Sequence, residues 1–455
     1  MQLIYITGTF LDFLVGESMM LIKRIKYSSV FFLCTVFCST AFGQFAESYE
    51  YAMIGYENEA TQNRVYRLVQ DLESGRQSLE WKDDRGYLES LLEAFEIDPS
   101  SQVLVFSPTS LQHKLINHET PRALYFSEDM YVGYVLNSEI VEITAVDDKF
   151  GMVFYVFNNK KDPDTFFDRN DQGCLVCHDS QGTMGGGTPS LMALSSVYSE
   201  NGVPLKKYSG VGNVVDQFPI SDRWGGWYVT GQHGKQKHLG NFRIKDPREL
   251  QNLENHLMGN LDTLDGLFDT SPYLRPTSDI VSLMILEHQL TVQNQITYVQ
   301  FKAPAVLERK GMDDALDATS WDELPDSAQS TLSRMLNKLV DLMLMKDAAP
   351  FDDEMKGDPA YQQWFLANGR KDSKGRSLRD LDLKDTLFEY PLSYMIYTPH
   401  FEALPVYTKD YVYRRLAAIL QGDDPQSREL SRRDRRAVLE ILEETKPEIL
   451  SYLEG

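Results

Sequence analysis

The sequence predicts a mixed α+β fold, with an antiparallel β-rich N-terminal region, a turn-rich middle and a mainly helical C-terminal region. Three observations predict this fold class. Short apolar runs follow one another closely between residues 103 and 157, at the spacing of strands. Gly, Pro, Asn and Asp punctuate the stretch that comes next. From residue 278 onward, apolar residues recur at helical spacing.

The composition is that of a globular protein of more than one domain. The chain has 455 residues, which is long enough for two or three domains and a large core. Its 42% hydrophobic and 25% charged residues argue against disorder and against a membrane-embedded body. The formal net charge is −22. So acidic a surface repels nucleic acid and anionic membranes, and it favours a basic protein partner.

The N-terminus has the pattern of an export signal. The first 18 residues lack a basic region, and a better start follows at Met19 or Met20. From there, basic Lys23–Lys26 precedes apolar Val30–Phe37, and the small residues Ala41 and Gly43 follow. This order predicts a start region and signal peptide over residues 1–43. Because the apolar run is too short to span a membrane, we expect a periplasmic or secreted mature protein without a transmembrane segment.

Residues 44–160 are predicted to form the N-terminal α+β region. Val65 to Leu72 and Leu88 to Phe95 have the apolar spacing of two amphipathic helices. The period then changes to that of strands, with Leu111–Ile116 left open as one short helix. The predicted strands are Val103–Phe106, Ala123–Phe126, Tyr131–Leu136, Ile140–Val146 and Met152–Phe157. Their close spacing predicts antiparallel pairing.

Residues 161–245 are predicted to form a module around Cys174-Leu175-Val176-Cys177-His178. This C-x-x-C-H motif is typical of covalent c-type haem attachment. Two thiols at i and i+3 can lie on one face of a helical turn, so both can reach one porphyrin edge. His178 is then the proximal iron ligand. Since Cys34 and Cys38 fall in the predicted signal peptide, the mature chain keeps only the motif pair, and we predict one covalent haem c.

The cysteine pair has three other interpretations, namely a zinc site, a thioredoxin-like redox pair and a structural disulfide. Zinc would need further ligands, and the sequence has no second cysteine pair and no His-x-x-x-His cluster. A redox pair normally opens a helix after a strand, whereas Asn170–Gly173 has the composition of a turn. A disulfide stays open as the main alternative to haem.

Residues 246–455 are predicted to form the helical C-terminal region. Ser278 is the expected cap of a helix that starts at Asp279, and Ile280–Leu286 is apolar almost all round, as in a buried helix. Three further helices are predicted, from an apolar stripe over Leu332–Met343, from Tyr411–Leu420, and from Arg432–Glu444 with Ser431 as its cap.

The group opposite His178 decides between electron transfer and chemistry at the iron, because a second strong ligand occupies the sixth coordination position and leaves no place for a substrate. His233 and His238 are the candidate distal ligands, since they lie in a polar loop long enough to fold over the haem. Met184 is too close in sequence to His178 to reach the opposite face. His288, beside Glu287 on the buried helix, is either a core histidine bonded to its neighbour or a ligand or proton relay.

Arg223, Trp224 and Trp227 are candidate haem-binding residues. An arginine can pair with a propionate, and indole rings can pack against porphyrin. The competing interpretation is ordinary core packing of the two tryptophans beside a surface arginine.

The chain resembles a family of large exported bacterial proteins that contain a cytochrome c domain with a single C-x-x-C-H motif. The resemblance covers most of the mature chain and rests on Pro121–Phe126, Cys174–His178, Arg223–Gly231, His233, His238, Thr277–Ile280 and Glu287–Gln289. It implies export and covalent haem, and it implies no particular reaction.

The function predicted from the sequence is electron transfer by a single c-type haem in the periplasm, with a basic redox partner protein. A haem enzyme that acts on peroxide or another small oxidant is one alternative. A haem-based sensor or binding module is the other. The mass of the chain outside the motif exceeds what a minimal electron carrier needs, and it could equally serve to dock a partner.

Overall fold

The computed structural model describes residues 54–56, 60–179, 187–195, 216–243 and 246–453. The described residues from 60 onward belong to one compact unit. The predicted signal peptide lies outside the described residues, as do Met184 and most of the glycine-rich run that follows the motif.

Two helices precede the sheet, as the apolar spacing predicts. They are α1 (Arg64–Glu73) and α2 (Leu88–Ala94). Asn63 caps α1, because its side chain accepts a hydrogen bond from the Tyr66 amide at 3.2 Å. The segment from Leu111 to Ile116, which the sequence left open as a helix, forms turns instead.

The sheet is a six-stranded antiparallel meander, in which every strand pairs with its neighbours in sequence. The strands are β1 (Val103–Val105), β2 (Arg122–Phe126), β3 (Met130–Tyr134), β4 (Ile140–Asp147), β5 (Gly151–Asn158) and β6 (Phe167–Arg169). The five predicted strands and their antiparallel pairing are confirmed. Strand β6 was not predicted, because Phe167-Asp168-Arg169 contains a single apolar residue and so forms no apolar run.

The sequence that joins β6 to the motif is helical from its second residue. Helix α3 spans Asp171–His178, so the predicted turn over Asn170–Gly173 is wrong beyond Asn170. A strand therefore does precede the helix, and that argument against a redox pair fails. A different argument replaces it, because Cys174 and Cys177 are the fourth and seventh of the eight residues of the helix and do not lie at its opening.

One long helix, α4 (Ile280–Arg309), forms the centre of the C-terminal region and is buried along most of its length. Its cap is Asp279, which accepts from the Ser282 amide at 2.8 Å, and not Ser278 as predicted. Strand β5 approaches α4 closely at Gly151, where a Cβ would lie 2.7 Å from Thr297. Gly151 also has a φ of +63°, so a glycine is required there on both counts.

The remaining helices are α5 (Asp326–Met343), α6 (Pro359–Ala367), α7 (Pro399–Glu402), α8 (Val406–Gln421), α9 (Arg432–Thr445) and α10 (Leu450–Leu453). Ser431 caps α9 as predicted, accepting from the Asp434 amide at 3.1 Å. Among the described residues, no helix is long and apolar enough to cross a membrane. The mixed α+β fold class is thus confirmed, with the sheet in the N-terminal half and helices after it.

Candidate functional site

Helix α3, which carries the motif, packs against strand β5. Leu175 is buried, whereas Val176 is 63% exposed. Of the two cysteines, Cys177 is exposed and Cys174 is partly exposed. The helix thus anchors itself through Leu175 and leaves the thiols accessible.

His178 is held by a backbone carbonyl and by an aromatic ring. Its Nδ1 lies 2.8 Å from the carbonyl oxygen of Ser190, and its ring stacks on Phe154 of β5 with 4.8 Å between centroids. A carbonyl can only accept, so Nδ1 carries the proton and Nε2 keeps its lone pair. Burial lowers the pKa of His178, which favours the same neutral imidazole.

Ser190 returns two hydrogen bonds to the motif. Its amide and its hydroxyl each donate to the His178 carbonyl at 3.0 Å. Together with the bond from the imidazole, these contacts tie the end of α3 to a residue twelve positions further along. The orientation of the His178 ring is therefore fixed by the segment that contains Ser190, residues 187–195.

Helix α4 holds that segment along its length. Asn294 accepts from the Leu191 amide at 3.2 Å and donates to the Leu191 carbonyl at 2.7 Å. Lys302 donates to the Gly187 carbonyl at 3.1 Å. From the other side, the indole of Trp227 donates to the Leu194 carbonyl at 2.8 Å. Side chains far away in sequence thus position the partner of His178.

Replacing Asn294 with alanine is expected to loosen segment 187–195. The change leaves the Leu191 amide and carbonyl without partners, at a cost of about 1–3 kcal/mol. Hydrogen exchange followed by mass spectrometry should show faster exchange in peptides covering 187–195 and unchanged exchange in β4. Asn368→Ala is the matched control, because Asn368 is exposed and donates only within its own helix. Equal exchange of peptides 187–195 in the two variants would contradict the role of Asn294 in holding this segment.

Arg223 and Trp224 converge on one buried carboxylate of α4. The Trp224 indole donates to Glu287 at 2.6 Å, and an Arg223 guanidinium nitrogen lies 3.3 Å from the other carboxylate oxygen. Arg223 is only 3% exposed, and it also donates to the carbonyls of Phe218 and Asp216. The interpretation of Arg223 as a surface residue is therefore wrong, and propionate binding by it stays a prediction.

Burial raises the pKa of Glu287 to about 7, and the charge of Arg223 opposes that rise. Burial has the same effect on Asp279, the cap of α4, whose pKa is about 7. Both carboxyl groups bind their protons more tightly in the folded protein than in the unfolded chain. The free energy of unfolding therefore decreases as the pH rises from their pKa values in the unfolded chain toward 7.

His288 bonds to distant residues and not to its neighbour Glu287. Its Nδ1 lies 2.7 Å from the Asp216 carboxylate, and its Nε2 lies 2.7 Å from the Ser393 hydroxyl. These distances match those of an Asp-His-Ser catalytic triad. Ser393, however, is fully buried, and its hydroxyl also accepts from the Met395 amide at 3.3 Å as a helix cap. The Asp216–His288–Ser393 hydrogen bonds therefore join three segments of the core.

The Asp216–His288 pair predicts a dependence of stability on acid pH. Burial acts to raise the pKa of Asp216, but the charge and hydrogen bond of His288 outweigh it and hold that pKa below its usual value. Because its pKa is lowered on folding, Asp216 contributes stability in full above about pH 4. This contribution is lost as the pH falls through the pKa of Asp216 in the folded state.

We expect Asp216→Asn to lower the free energy of unfolding by about 1.5–3 kcal/mol at pH 6. The difference from the parent should shrink as the pH falls below about 4, because the unfolded parent takes up a proton on Asp216 there, and it should vanish below the lower pKa of the folded state. Urea unfolding at a series of pH values measures both. Asp314→Asn, at an exposed position, should change stability by less than about 0.5 kcal/mol. A difference in the free energy of unfolding that does not change with pH would contradict an ionised Asp216 carboxylate beside His288.

His233 and His238 lie together in the core, with 4.9 Å between their ring centroids. His233 Nδ1 is bound to the Gln236 carbonyl at 2.9 Å, and His238 packs edge-on against Trp224 at 5.4 Å. Burial lowers the pKa of His238 to about 3, helped by the adjacent His233, so the ring is neutral. Whether either histidine binds iron stays a prediction.

Several residues of this arrangement have no pattern in the sequence. Asp216, Ser393 and the Ser190 carbonyl are separated from their partners by 72, 105 and 12 positions. Asn294 had one visible signal, since it belongs to a polar run on a buried helix. Among the described residues, no three His, Cys, Asp or Glu side chains form a group that could hold a metal ion by themselves.

The site thus combines two accessible thiols with a histidine of fixed tautomer, supported by a segment that α4 and Trp227 hold in place. A free Nε2 beside a carbonyl-bound Nδ1 is the arrangement in which histidine ligates metals. Comparisons of the chain with protein-family models, with curated proteins and with solved structures gave no match.

Proposed function

We propose that the protein is an exported c-type cytochrome that carries one covalently bound haem and transfers electrons. Cys174 and Cys177 would hold the haem, and Nε2 of His178 would bind its iron. When bound, the haem would supply one-electron oxidation and reduction. The observation that supports this most is the hydrogen bond from His178 Nδ1 to the Ser190 carbonyl, because it leaves Nε2 as an oriented lone-pair donor.

The donor set fits haem better than the alternatives. A tetrahedral zinc site would need ligands beyond Cys174, Cys177 and His178, and the described residues supply no such cluster. The resemblance to exported proteins with a cytochrome c domain points the same way, as does the predicted signal peptide.

The role of the remaining side chains follows from their contacts. Phe154 and the Ser190 carbonyl orient His178, while Asn294 and Trp227 hold the Ser190 segment. A His178 ring held in this way would need little rearrangement during electron transfer by a bound haem, which suits an electron carrier. The net charge of −22 would steer a basic redox partner toward the protein, and salt would weaken that attraction.

The test is an optical spectrum of protein matured in the periplasm of a host with cytochrome c assembly, oxidised and reduced, with and without cyanide or carbon monoxide. We expect covalent haem and a low-spin spectrum that added ligand does not change. High-spin iron that binds ligand would overturn electron transfer and favour a haem enzyme or sensor. Absence of covalent haem would overturn the proposal as a whole.

A further inference from the structure

A cavity of about 330 Å³ lies between the end of α5, the turn around residue 387 and the segment that precedes α9. That volume is in the range of sites for small molecules, and most of the described residues that line the cavity are apolar, as is usual in such sites. The cavity thus favours a ligand with an apolar body. Its apolar wall includes Met284, Leu344, Phe351, Leu387, Phe388 and Leu430.

The charged residues in the wall disfavour an anionic ligand. Among the described residues that line the cavity, the two cations are each paired with a carboxylate. Arg223 lies 3.3 Å from Glu287, and Lys346 lies 3.5 Å from Glu429. The guanidinium of Arg223 is also engaged by two backbone carbonyls and its side chain is only 3% exposed, so it has nothing left for a ligand. Asp216 adds a further carboxylate to the wall.

Asp216 has one carboxylate oxygen that the fold does not use. Its Oδ2 lies 2.7 Å from His288 Nδ1, whereas its Oδ1 has no hydrogen-bond partner among the described residues. The side chain is 14% exposed, and Asp216 lines the cavity. Its backbone carbonyl accepts from the Ala349 amide at 2.8 Å and from Arg223 at 2.9 Å, which fixes the residue in place. An ionised carboxylate oxygen can only accept, so it needs a ligand with an N–H or O–H donor.

The segment after α5, which lines the same cavity, has a strained backbone. The φ angle is +50° at Met345 and +58° at Asp347, in the left-handed region that favours glycine. Met345 is the first residue beyond the cap of α5, because the next amide, that of Lys346, donates to the Asp341 carbonyl at 2.9 Å. Glycine is usual at this position. Strain of this kind is typical of segments that bind ligands.

We propose that this cavity binds a small, mainly apolar molecule that carries one hydrogen-bond donor, either a hydroxyl or a primary ammonium group. The donor would bond to Oδ1 of Asp216, and the apolar body would lie among Met345, Phe351 and Leu387. Hydrogen bonds to an ionised acceptor are roughly twice as strong as those between neutral groups, so this bond would orient the ligand. The site does not depend on the haem proposed at the motif, so either proposal can fail without the other.

Isothermal titration calorimetry of the purified protein tests the site, with 2-phenylethanol and 2-phenylethylamine as probes. The methyl ether of 2-phenylethanol has the same body without a donor, and 3-phenylpropionate carries a carboxylate instead. We expect the alcohol and the amine to bind, the ether to bind at least about tenfold more weakly, which corresponds to 1.4 kcal/mol, and the carboxylate to give no heat of binding. Binding of the alcohol alone or of the amine alone would assign the class of donor. Absence of binding by both overturns the proposal, and equal affinities for alcohol and ether overturn the role of the donor.

Leu387→Arg should abolish binding, because it places a long cationic side chain at the apolar wall. Leu387 is partly exposed, so this variant is expected to fold. Leu267→Arg makes the same change at a residue that is 47% exposed and outside the cavity, and it should leave binding unchanged. Full affinity in Leu387→Arg would contradict the location of the site.

Met345→Gly separates binding from folding. Glycine relieves the strain of the left-handed backbone, so the midpoint of urea unfolding should rise. The same change removes apolar surface from the cavity, so affinity for the probes should fall roughly fivefold. A variant that is more stable and binds the probes as the parent does would show that Met345 serves only to end α5, and it would contradict the part assigned to this segment.

Discussion

Replacing Cys174 and Cys177 together with serine is expected to abolish covalent haem. Serine hydroxyls cannot form the thioether bonds that would hold the haem at this exposed to partly exposed pair of positions. Haem staining on a denaturing gel, after export in a host that assembles c-type cytochromes, should lose its signal completely. The single variants should keep a reduced signal, because one bond still joins haem to the chain.

Cys34→Ser with Cys38→Ser is the matched control for the cysteine pair. Both residues lie in the predicted signal peptide, so the mature protein should stain as the parent does. A haem signal in the Cys174/Cys177 double variant would contradict the assignment of these thiols. Loss of staining in the control would indicate failed export, which detection of the exported protein by antibody separates from failed attachment.

Replacing Glu287 with leucine is expected to lower the free energy of unfolding by about 3–5 kcal/mol at pH 8, where the carboxyl is ionised. The variant leaves the Arg223 charge buried at 3% exposure without its counter-ion, and it removes the acceptor of the Trp224 indole. Urea unfolding followed by circular dichroism measures the loss. Glu139→Leu, at a 72% exposed ion pair with Lys160, should cost at most about 1 kcal/mol.

A double-mutant cycle separates the ion pair from simple packing. Arg223→Met combined with Glu287→Leu removes both charges, and it should recover a large part of what either single change loses. Two independent losses that add in the double variant would contradict the coupling. The Arg223 bonds to the Phe218 and Asp216 carbonyls are lost in both the single and the double variant, so they cancel from the coupling term.

Residue patterns over short stretches of sequence were sufficient to predict most helices and strands of the fold. Short apolar runs separated by turn residues located the strands from Val103 to Phe157, and Ser431 marked the start of α9. Errors occurred where two residues compete for one role. Ser278 and Asp279 are both good caps, and Ser278 instead donates to the Tyr228 carbonyl at 2.6 Å and accepts from the Leu104 amide at 2.9 Å.

Residue types at short, fixed spacing encode the fold class, the buried character of α4 and the motif on which the proposed haem depends. The group that orients His178, the partner that balances the Arg223 charge and the residues that bind His288 became known from the folded arrangement. Any residue type can supply a backbone carbonyl, so the partner of His178 could not be recognised from the sequence. Partners such as Asp216 and Ser393 meet only after the chain has packed, since no local periodicity relates residues 72 or 105 positions apart.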